Sequence, residues 1–131
     1  DLPKSLEGYY QETGRAGRDG LPANAWMAYG LADVVQQRRM IDESDADDVH
    51  KRVSTAKLEA LLGLCEAATC RRVALLAYFG ESSQPCGNCD TCLTPPQTWD
   101  ATREAQMALS CAYRVQQASR VTFGAGQLID I

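Results

Sequence analysis

The sequence lacks the features that mark several classes of protein. It has one histidine, His50, in 131 residues, and aromatic residues make up only 7% of it. No apolar run reaches the roughly eighteen residues of a membrane span, and no charged-then-apolar leader stands at its start. The formal charge of −4 argues against a broadly basic nucleic-acid clamp, because phosphate binding draws on an excess of lysine and arginine. These absences predict a cytoplasmic protein without a membrane partner.

A further absence concerns nucleotide chemistry. The sequence contains no G-x-x-x-x-G-K-[ST] phosphate loop and no acidic box suited to holding Mg²⁺. We therefore expect that this chain alone does not hydrolyse ATP. Its remaining composition, with 45% hydrophobic and 23% charged residues, is ordinary for a globular protein and predicts one or two small domains.

Residues 11–20, QETGRAGRDG, are the most informative stretch that is present. Arg15 and Arg18 stand three apart between glycines, and a guanidinium offers a rigid fork of donors that matches phosphate oxygens. If a helix opening near Ser5 continued through this stretch, Gln11 and both arginines would share one face. The alternative is a glycine-loosened turn with two solvated arginines.

Cysteine spacing gives the second strong signal. Cys86, Cys89 and Cys92 form C-x2-C-x2-C, and Cys70 lies upstream of them. Four thiolates can close a tetrahedron, and tight x2 turns bring neighbouring sulfurs to one centre. The spacing predicts a single structural Zn²⁺ site.

Other roles for the cysteines are less favoured. A disulfide set would need export, for which there is no leader, and a redox pair usually follows a strand rather than a helical stretch. Cys65 and Cys111 lie in apolar rows at helical spacing, which predicts small buried hydrophobes rather than ligands. His50 is flanked by charge and is expected to be solvated. Tyr78 and Phe79 are expected to pack over the zinc loop.

Hydrophobic periodicity and capping residues predict a mainly α chain with one short strand. A polar patch at Pro95-Pro96 predicts a hinge between two parts. In the first part, the expected elements are a helix from Ser5, a strand over 25–29 and a helix over 32–41. A further helix, opened by Ser44 and Asp47 and running to 67, would form a hairpin with the helix over 32–41, and a helix over 70–79 would follow. In the second part, we expect a helix from Asp100 to 117, an extended stretch at 121–123 and a further helix start at 126–128.

The order of these residues resembles a known family. QETGRAGRDG, preceded by Tyr9-Tyr10, looks like motif VI of superfamily 2 helicases, and in this wording it resembles the RecQ family of ATP-dependent DNA helicases. The run TCRR…YFGE…PCGNCD resembles the zinc-binding subdomain of the same family. The stretch after Pro96 is similar to the opening of the RecQ winged-helix domain.

The resemblance implies a role for each motif residue. Arg18 would be the arginine finger on the γ-phosphate of ATP, Arg15 a second phosphate or coupling contact, and Gln11 a polar link between nucleotide and DNA sites. ATP and Mg²⁺ would be bound by a first lobe that this chain does not contain. The implied zinc ligands are Cys70, Cys86, Cys89 and Cys92.

The resemblance also implies a domain organisation. Residues 1–30 would end the second RecA-like α/β lobe, 31–95 would form a helical hairpin with a four-cysteine zinc-binding subdomain, and 96–131 would begin the winged-helix domain. We therefore expect a fragment of a nucleoid-associated bacterial helicase that moves 3′ to 5′ in recombination and repair. Its partners would be single-stranded and partly duplex DNA and the rest of its polypeptide. The alternatives are a non-enzymatic zinc adaptor for nucleic acid or protein and a thiol oxidoreductase.

Overall fold

The computed structural model describes residues 2–119 and Gly124, and within them it is helical, as the sequence predicts, and contains no strand. The chain divides into two compact units, one ending at Pro96 and the other beginning at Gln97. None of the described helices is long and apolar enough to cross a membrane. The helices are α1 (Leu6–Thr13), α2 (Leu31–Asp42), α3 (Asp48–Glu66), α4 (Arg71–Tyr78), α5 (Asp90–Leu93) and α6 (Thr102–Ser119).

Helix α3 is the centre of the first unit and packs against α1, α2 and α4. It begins where the Asp47 carboxylate accepts a hydrogen bond from the backbone N–H of His50, which satisfies one of the free donors of the first turn. Asp47 is therefore the N-cap, and Ser44 instead donates to the Ile41 carbonyl at the end of α2. The predicted hairpin of α2 and α3 is confirmed. The buried core consists of Leu2, Leu6, Val34, Leu58, Leu61, Leu62 and Leu64.

Helix α1 is shorter than the sequence suggested. The Ser5 hydroxyl accepts a hydrogen bond from the Gly8 N–H at its start, and the helix ends at Thr13. Gly17 and Gly20 have φ of 70° and 77°, a left-handed conformation that an α-helix cannot contain. The helix therefore stops before the arginines.

The predicted strand over 25–29 is wrong. Residues 22–30 have no regular structure, and no described segment forms a strand ladder with them. The Trp26 side chain is 87% exposed, whereas Met27 packs against the core. An apolar run alone did not distinguish a strand from an extended connection.

The second unit contains α6. Its start is the predicted one, since the Asp100 carboxylate accepts a hydrogen bond of 3.0 Å from the Thr102 backbone N–H. The least exposed side chains of α6 include Cys111 and Val115, which lie four apart in the predicted apolar row. The elements predicted at 121–123 and 126–128 lie outside the described residues.

Candidate metal centre and arginine loop

The four cysteines of the zinc prediction meet in space. The sulfur atoms of Cys70, Cys86, Cys89 and Cys92, here called the thiol cluster, all lie within 4.8 Å of one another. The Sγ atom of Cys70 is 3.6 Å from that of Cys86 and 3.9 Å from that of Cys89. None of the four forms a disulfide.

These separations fit a tetrahedral metal site. With Zn–S bonds of about 2.3 Å, the edges of an ideal ZnS₄ tetrahedron are about 3.8 Å long. The distances from the Cys70 sulfur to those of Cys86 and Cys89, 3.6 and 3.9 Å, bracket that length. A disulfide would need the sulfurs about 2.05 Å apart, much closer than they lie. The cluster is therefore arranged for one dication held by four thiolates.

Local backbone structure brings the sulfurs together. Cys70 stands just before α4, and its sulfur accepts a hydrogen bond of 3.3 Å from the backbone N–H of Cys86. Gly87 has φ of 69°, which turns the chain between the first two cysteines of the C-x2-C-x2-C run. Cys89 is the N-cap of the short helix α5, and the backbone N–H of Cys92 donates to its carbonyl. Each x2 spacing thus forms one tight turn.

The metal-free thiols differ in acidity. The pKa of Cys70 is lowered, chiefly by the hydrogen bond from the Cys86 backbone. Desolvation raises the pKa of Cys89, but hydrogen bonds from the Thr91 hydroxyl and nearby backbone groups outweigh it and bring this pKa to about 5. The hydrogen bond between Cys92 and Cys89 raises the pKa of the Cys92 thiol to about 11. Metal binding would therefore displace protons from the cluster.

A salt bridge that the sequence reasoning missed holds the cluster against α3. The Arg71 guanidinium donates to both carboxylate oxygens of Asp90, with its shortest contacts at 3.0 Å. It also donates to the carbonyls of Leu64 and Cys65 at the C-terminal end of α3. Arg71 follows one cluster cysteine and Asp90 follows another. In the sequence, these opposite charges next to two cluster cysteines were the signal that could have predicted the salt bridge.

Thr91 completes this support. It is the one buried polar side chain in the described part of the chain, at 8% exposure. Its hydroxyl lies 3.3 Å from the sulfur of Cys89 and donates to the Thr69 carbonyl at 2.8 Å. The hydroxyl thus ties the α5 end of the cluster to the residue before Cys70. This arrangement is typical of a structural site, in which outer partners orient the ligands.

The cysteines and histidine excluded from the site lie elsewhere. Cys65 is half-buried beside the leucine core, and this burial raises the pKa of its thiol. Cys111 is half-buried on α6. His50 is exposed and pairs with Asp47 at 2.9 Å. The structure brings none of the three into the thiol cluster.

The arginine loop, residues 14–20, follows α1. Backbone hydrogen bonds of 3.3 Å from Arg15 to Glu12 and of 3.0 Å from Gly20 to Gly17 fold it into successive turns. Arg15 and Arg18 are exposed, and neither forms an ion pair with any described residue. Gln11 is exposed on α1, but the helix ends before the arginines, so the three side chains do not share a helical face.

The loop is therefore shaped as a set of turns with two guanidinium groups that no described residue engages. Such groups suit binding of phosphate oxygens by charge and paired hydrogen bonds.

Comparison with known families matches most of the chain. The family model for RecQ zinc-binding matches residues 31–93, and the model for the RQC domain matches residues 95–131. All four members of the thiol cluster lie within the first of these ranges. The arginine loop precedes both ranges.

Curated relatives match over a longer stretch. The chain is 46% identical over 132 aligned positions to the ATP-dependent DNA helicase RecQ of Haemophilus influenzae, an alignment that covers 100% of this chain and 20% of that protein. It is 47% identical over 118 residues to the RecQ protein of Pasteurella multocida, covering 89% of this chain and 18% of the relative. Against the Bacillus subtilis protein the identity is 38% over 117 residues, with 88% and 20% covered. The chain thus spans about a fifth of the length of these relatives.

Proposed function

Because the chain belongs to the RecQ family of helicases, we propose that it works as part of an ATP-dependent DNA helicase that moves 3′ to 5′ and separates strands in recombination and repair. The names of the relatives describe ATP-dependent DNA helicases, and the whole-chain match to the Haemophilus protein includes the arginine loop. The observation that carries the proposal is the thiol cluster, which has tetrahedral spacing and lies inside the RecQ zinc-binding match.

We assign the thiol cluster to one structural Zn²⁺ ion. Four sulfur ligands leave no open coordination position, so the metal would not take part in chemistry. The four residues join three separate segments: the start of α4, the loop after it and the helix α5. Metal binding would therefore contribute directly to the free energy of folding.

The arginine loop is assigned to ATP hydrolysis. Arg18 would stabilise the charge that develops on the γ-phosphate, and Arg15 would supply a second phosphate contact or couple nucleotide binding to movement. Gln11, in the last turn of α1, would link the nucleotide site to the DNA site. ATP and Mg²⁺ would be held by another part of the full-length protein, since this chain carries no phosphate loop.

We propose three domains. Residues 1–30 would complete the second RecA-like lobe, residues 31–95 would form the zinc subdomain, and residues 96–131 would begin the winged-helix domain. Two observations support the boundary near residue 95. The first compact unit ends at Pro96, and one family match ends at residue 93 while the next begins at residue 95. The exposed Trp26 supports the first boundary, because such a side chain is suited to packing against a larger domain.

DNA, single-stranded and partly duplex, is the proposed partner. In a bacterial cell, such a substrate would place the protein at the nucleoid in the cytoplasm. A non-enzymatic zinc adaptor is the less favoured function. An adaptor would give no reason for two arginines without a described ion-pair partner in a stretch aligned with ATP-dependent helicases.

The test is ATP hydrolysis by the full-length protein. Arg18→Ala should lower kcat at least about a thousandfold while changing nucleotide affinity little, because an arginine finger acts mainly on the transition state. Arg39→Ala is the matched control, since Arg39 is exposed and makes only an i,i+4 ion pair with Glu43. DNA-stimulated hydrolysis that is equal in wild type and Arg18→Ala would reject the assignment.

A further inference from the structure

Helix α4 connects the thiol cluster to the helix that carries the arginine loop. Cys70 is the residue before its first turn, Tyr78 is its last residue and Phe79 is its C-cap. The sequence predicted that Tyr78 and Phe79 pack over the zinc loop. Instead, the Tyr78 hydroxyl and the Phe79 ring contact α1.

A polar contact fixes the first turn of α1. The Tyr78 hydroxyl donates to a carboxylate oxygen of Glu7 at 3.1 Å, and the Lys57 ammonium lies 3.0 Å from the same oxygen. The pKa of Glu7 is lowered to about 2, first by a hydrogen bond from its own backbone N–H and then by Lys57. Glu7 is therefore charged at neutral pH, and α3 and α4 hold it from two sides.

An aromatic contact fixes the last turn of α1. The rings of Tyr10 and Phe79 have centroids 5.2 Å apart and are tilted by 50°. The Tyr78 ring meets Phe79 edge-on, also at 5.2 Å. Both distances lie within the range at which aromatic rings attract each other. The three rings thus form a continuous contact between α4 and α1.

The first residue of the arginine loop is hydrogen-bonded to the residue that makes this contact. The Tyr10 carbonyl accepts the backbone N–H of Gly14 at 2.9 Å, and the Thr13 hydroxyl also donates to it. A side chain at position 14 would have little room, because a Cβ there would lie 3.0 Å from the Tyr10 carbonyl oxygen. The first turn of the loop is consequently built on the backbone of Tyr10, whose ring rests on Phe79.

We propose that Phe79, supported by Tyr78, is a positioning residue for ATP hydrolysis: it sets where the end of α1, and with it Arg15 and Arg18, stands relative to the zinc subdomain. This inference rests on the proposed helicase function. Phe79 would touch neither nucleotide nor DNA. Its effect would pass through Tyr10 to the arginine loop.

The first experiment measures ATP hydrolysis by the full-length protein carrying Phe79→Ala. We expect kcat to fall about tenfold and KM for ATP to change less than about threefold, because small misplacements of a catalytic group lower rate more than binding. Phe79→Tyr keeps the ring and should restore kcat. Zinc content should remain one ion per chain in both variants.

A double-mutant cycle tests whether the effect passes through the ring contact. Tyr10→Ala should reproduce the loss seen with Phe79→Ala, and the double variant should be no worse than either single one. Val53→Ala is the control, since Val53 is 49% exposed on α3 and its truncation also removes apolar surface. It should leave kcat unchanged.

The outcomes separate the two proposals. If wild-type full-length protein does not hydrolyse ATP, the proposed function fails. If wild type is active and Phe79→Ala keeps its kcat within about twofold, or if the losses in Tyr10→Ala and Phe79→Ala simply add, the positioning role fails alone. A variant that loses zinc and kcat together, with Phe79→Tyr equally impaired, would show that Phe79 only supports the fold.

Discussion

The thiol cluster and the arginine loop differ in how much of each site this chain supplies. In the cluster, four sulfurs from three segments already stand at tetrahedral spacing, and Arg71 and Thr91 hold the surrounding backbone. In the loop, the backbone turns are formed, but Arg15 and Arg18 extend into solvent without a described partner. The four ligands of the proposed zinc site all come from this chain, whereas the loop would supply only part of the proposed nucleotide site.

This difference is the one expected from the chemistry of the two proposed ligands. A zinc ion is small enough for four nearby side chains to enclose it, so that its site can form within one compact unit. A nucleotide triphosphate with its Mg²⁺ is larger and highly charged, and catalysis requires groups on several sides of it. A single loop can therefore contribute only part of such a site.

The largest effect should come from removing a cluster sulfur. We expect Cys89→Ser to lose bound zinc and to lower the free energy of unfolding by more than about 3 kcal/mol, because structural zinc contributes directly to folding. Urea unfolding and elemental analysis would measure both changes. Cys111→Ser is the control, since Cys111 is half-buried outside the cluster, and it should keep its zinc. One zinc per chain and an unchanged midpoint in Cys89→Ser would contradict the ligand set.

The second effect concerns pH. The metal-free cluster binds more protons than the zinc form, because the pKa of Cys92 is raised to about 11, so lowering the pH should weaken zinc binding. Displacing one such proton makes the apparent Kd about tenfold weaker for each pH unit lowered, or about a hundredfold between about pH 8 and about pH 6. Competition with a chromophoric chelator at these pH values would measure it. An apparent Kd that does not change would show that the sulfurs are not ligands.

A smaller effect should come from the salt bridge beside the cluster. Arg71→Ala removes hydrogen bonds to Asp90 and to two carbonyls of α3, and should cost about 1–2 kcal/mol of unfolding free energy, discounted for the exposure of Asp90. Arg71→Lys should recover only part of this, because lysine cannot make the paired contact. The exposed neighbour Arg72 is the control, and Arg72→Ala should change stability by less than about 0.5 kcal/mol. Equal losses in the two alanine variants would remove Arg71 from its supporting role.

The smallest effect sharpens the comparison most. Arg18→Ala should leave zinc content unchanged and shift the unfolding free energy by less than about 0.5 kcal/mol, because the side chain is exposed and has no described ion-pair partner. The same substitution is expected to abolish most ATP turnover in the full-length protein. Calorimetry of this chain beside kinetics of the longer protein would measure both. A large loss of stability would show that the loop belongs to the fold.

Local signals predicted most helices well, and the four cysteines that they grouped together lie close in space. The expected helix over 32–41 is observed as Leu31–Asp42, and the next was expected to end at 67 and ends at Glu66. Such boundaries depend on caps and periodicity, which are properties of neighbouring residues. The C-x2-C-x2-C run likewise specifies its own turns.

The errors occurred where structure depends on distant partners or on backbone conformation. The strand over 25–29 could not be judged from residues such as Trp26 alone, because a strand exists only beside another. A helix through the arginines is excluded by the positive φ of Gly17. A glycine can adopt this conformation but need not, so the residue type alone did not predict it. The Tyr78 contact with Glu7 joins residues far apart in sequence, and no periodicity indicates it.

The turn at Gly87 separates two costs that substitutions usually mix. Its φ is 69°, yet a Cβ built there would meet no atom within 4 Å. A Cβ at this position would therefore clash with no neighbouring atom. A substitution would be disfavoured only by the left-handed backbone conformation that it would have to adopt. Asparagine, which tolerates this handedness, should be accepted more readily than valine, whose branched side chain resists it. The turn that begins the metal-binding run thus restricts the backbone conformation of this residue, while it leaves open space where a Cβ would lie.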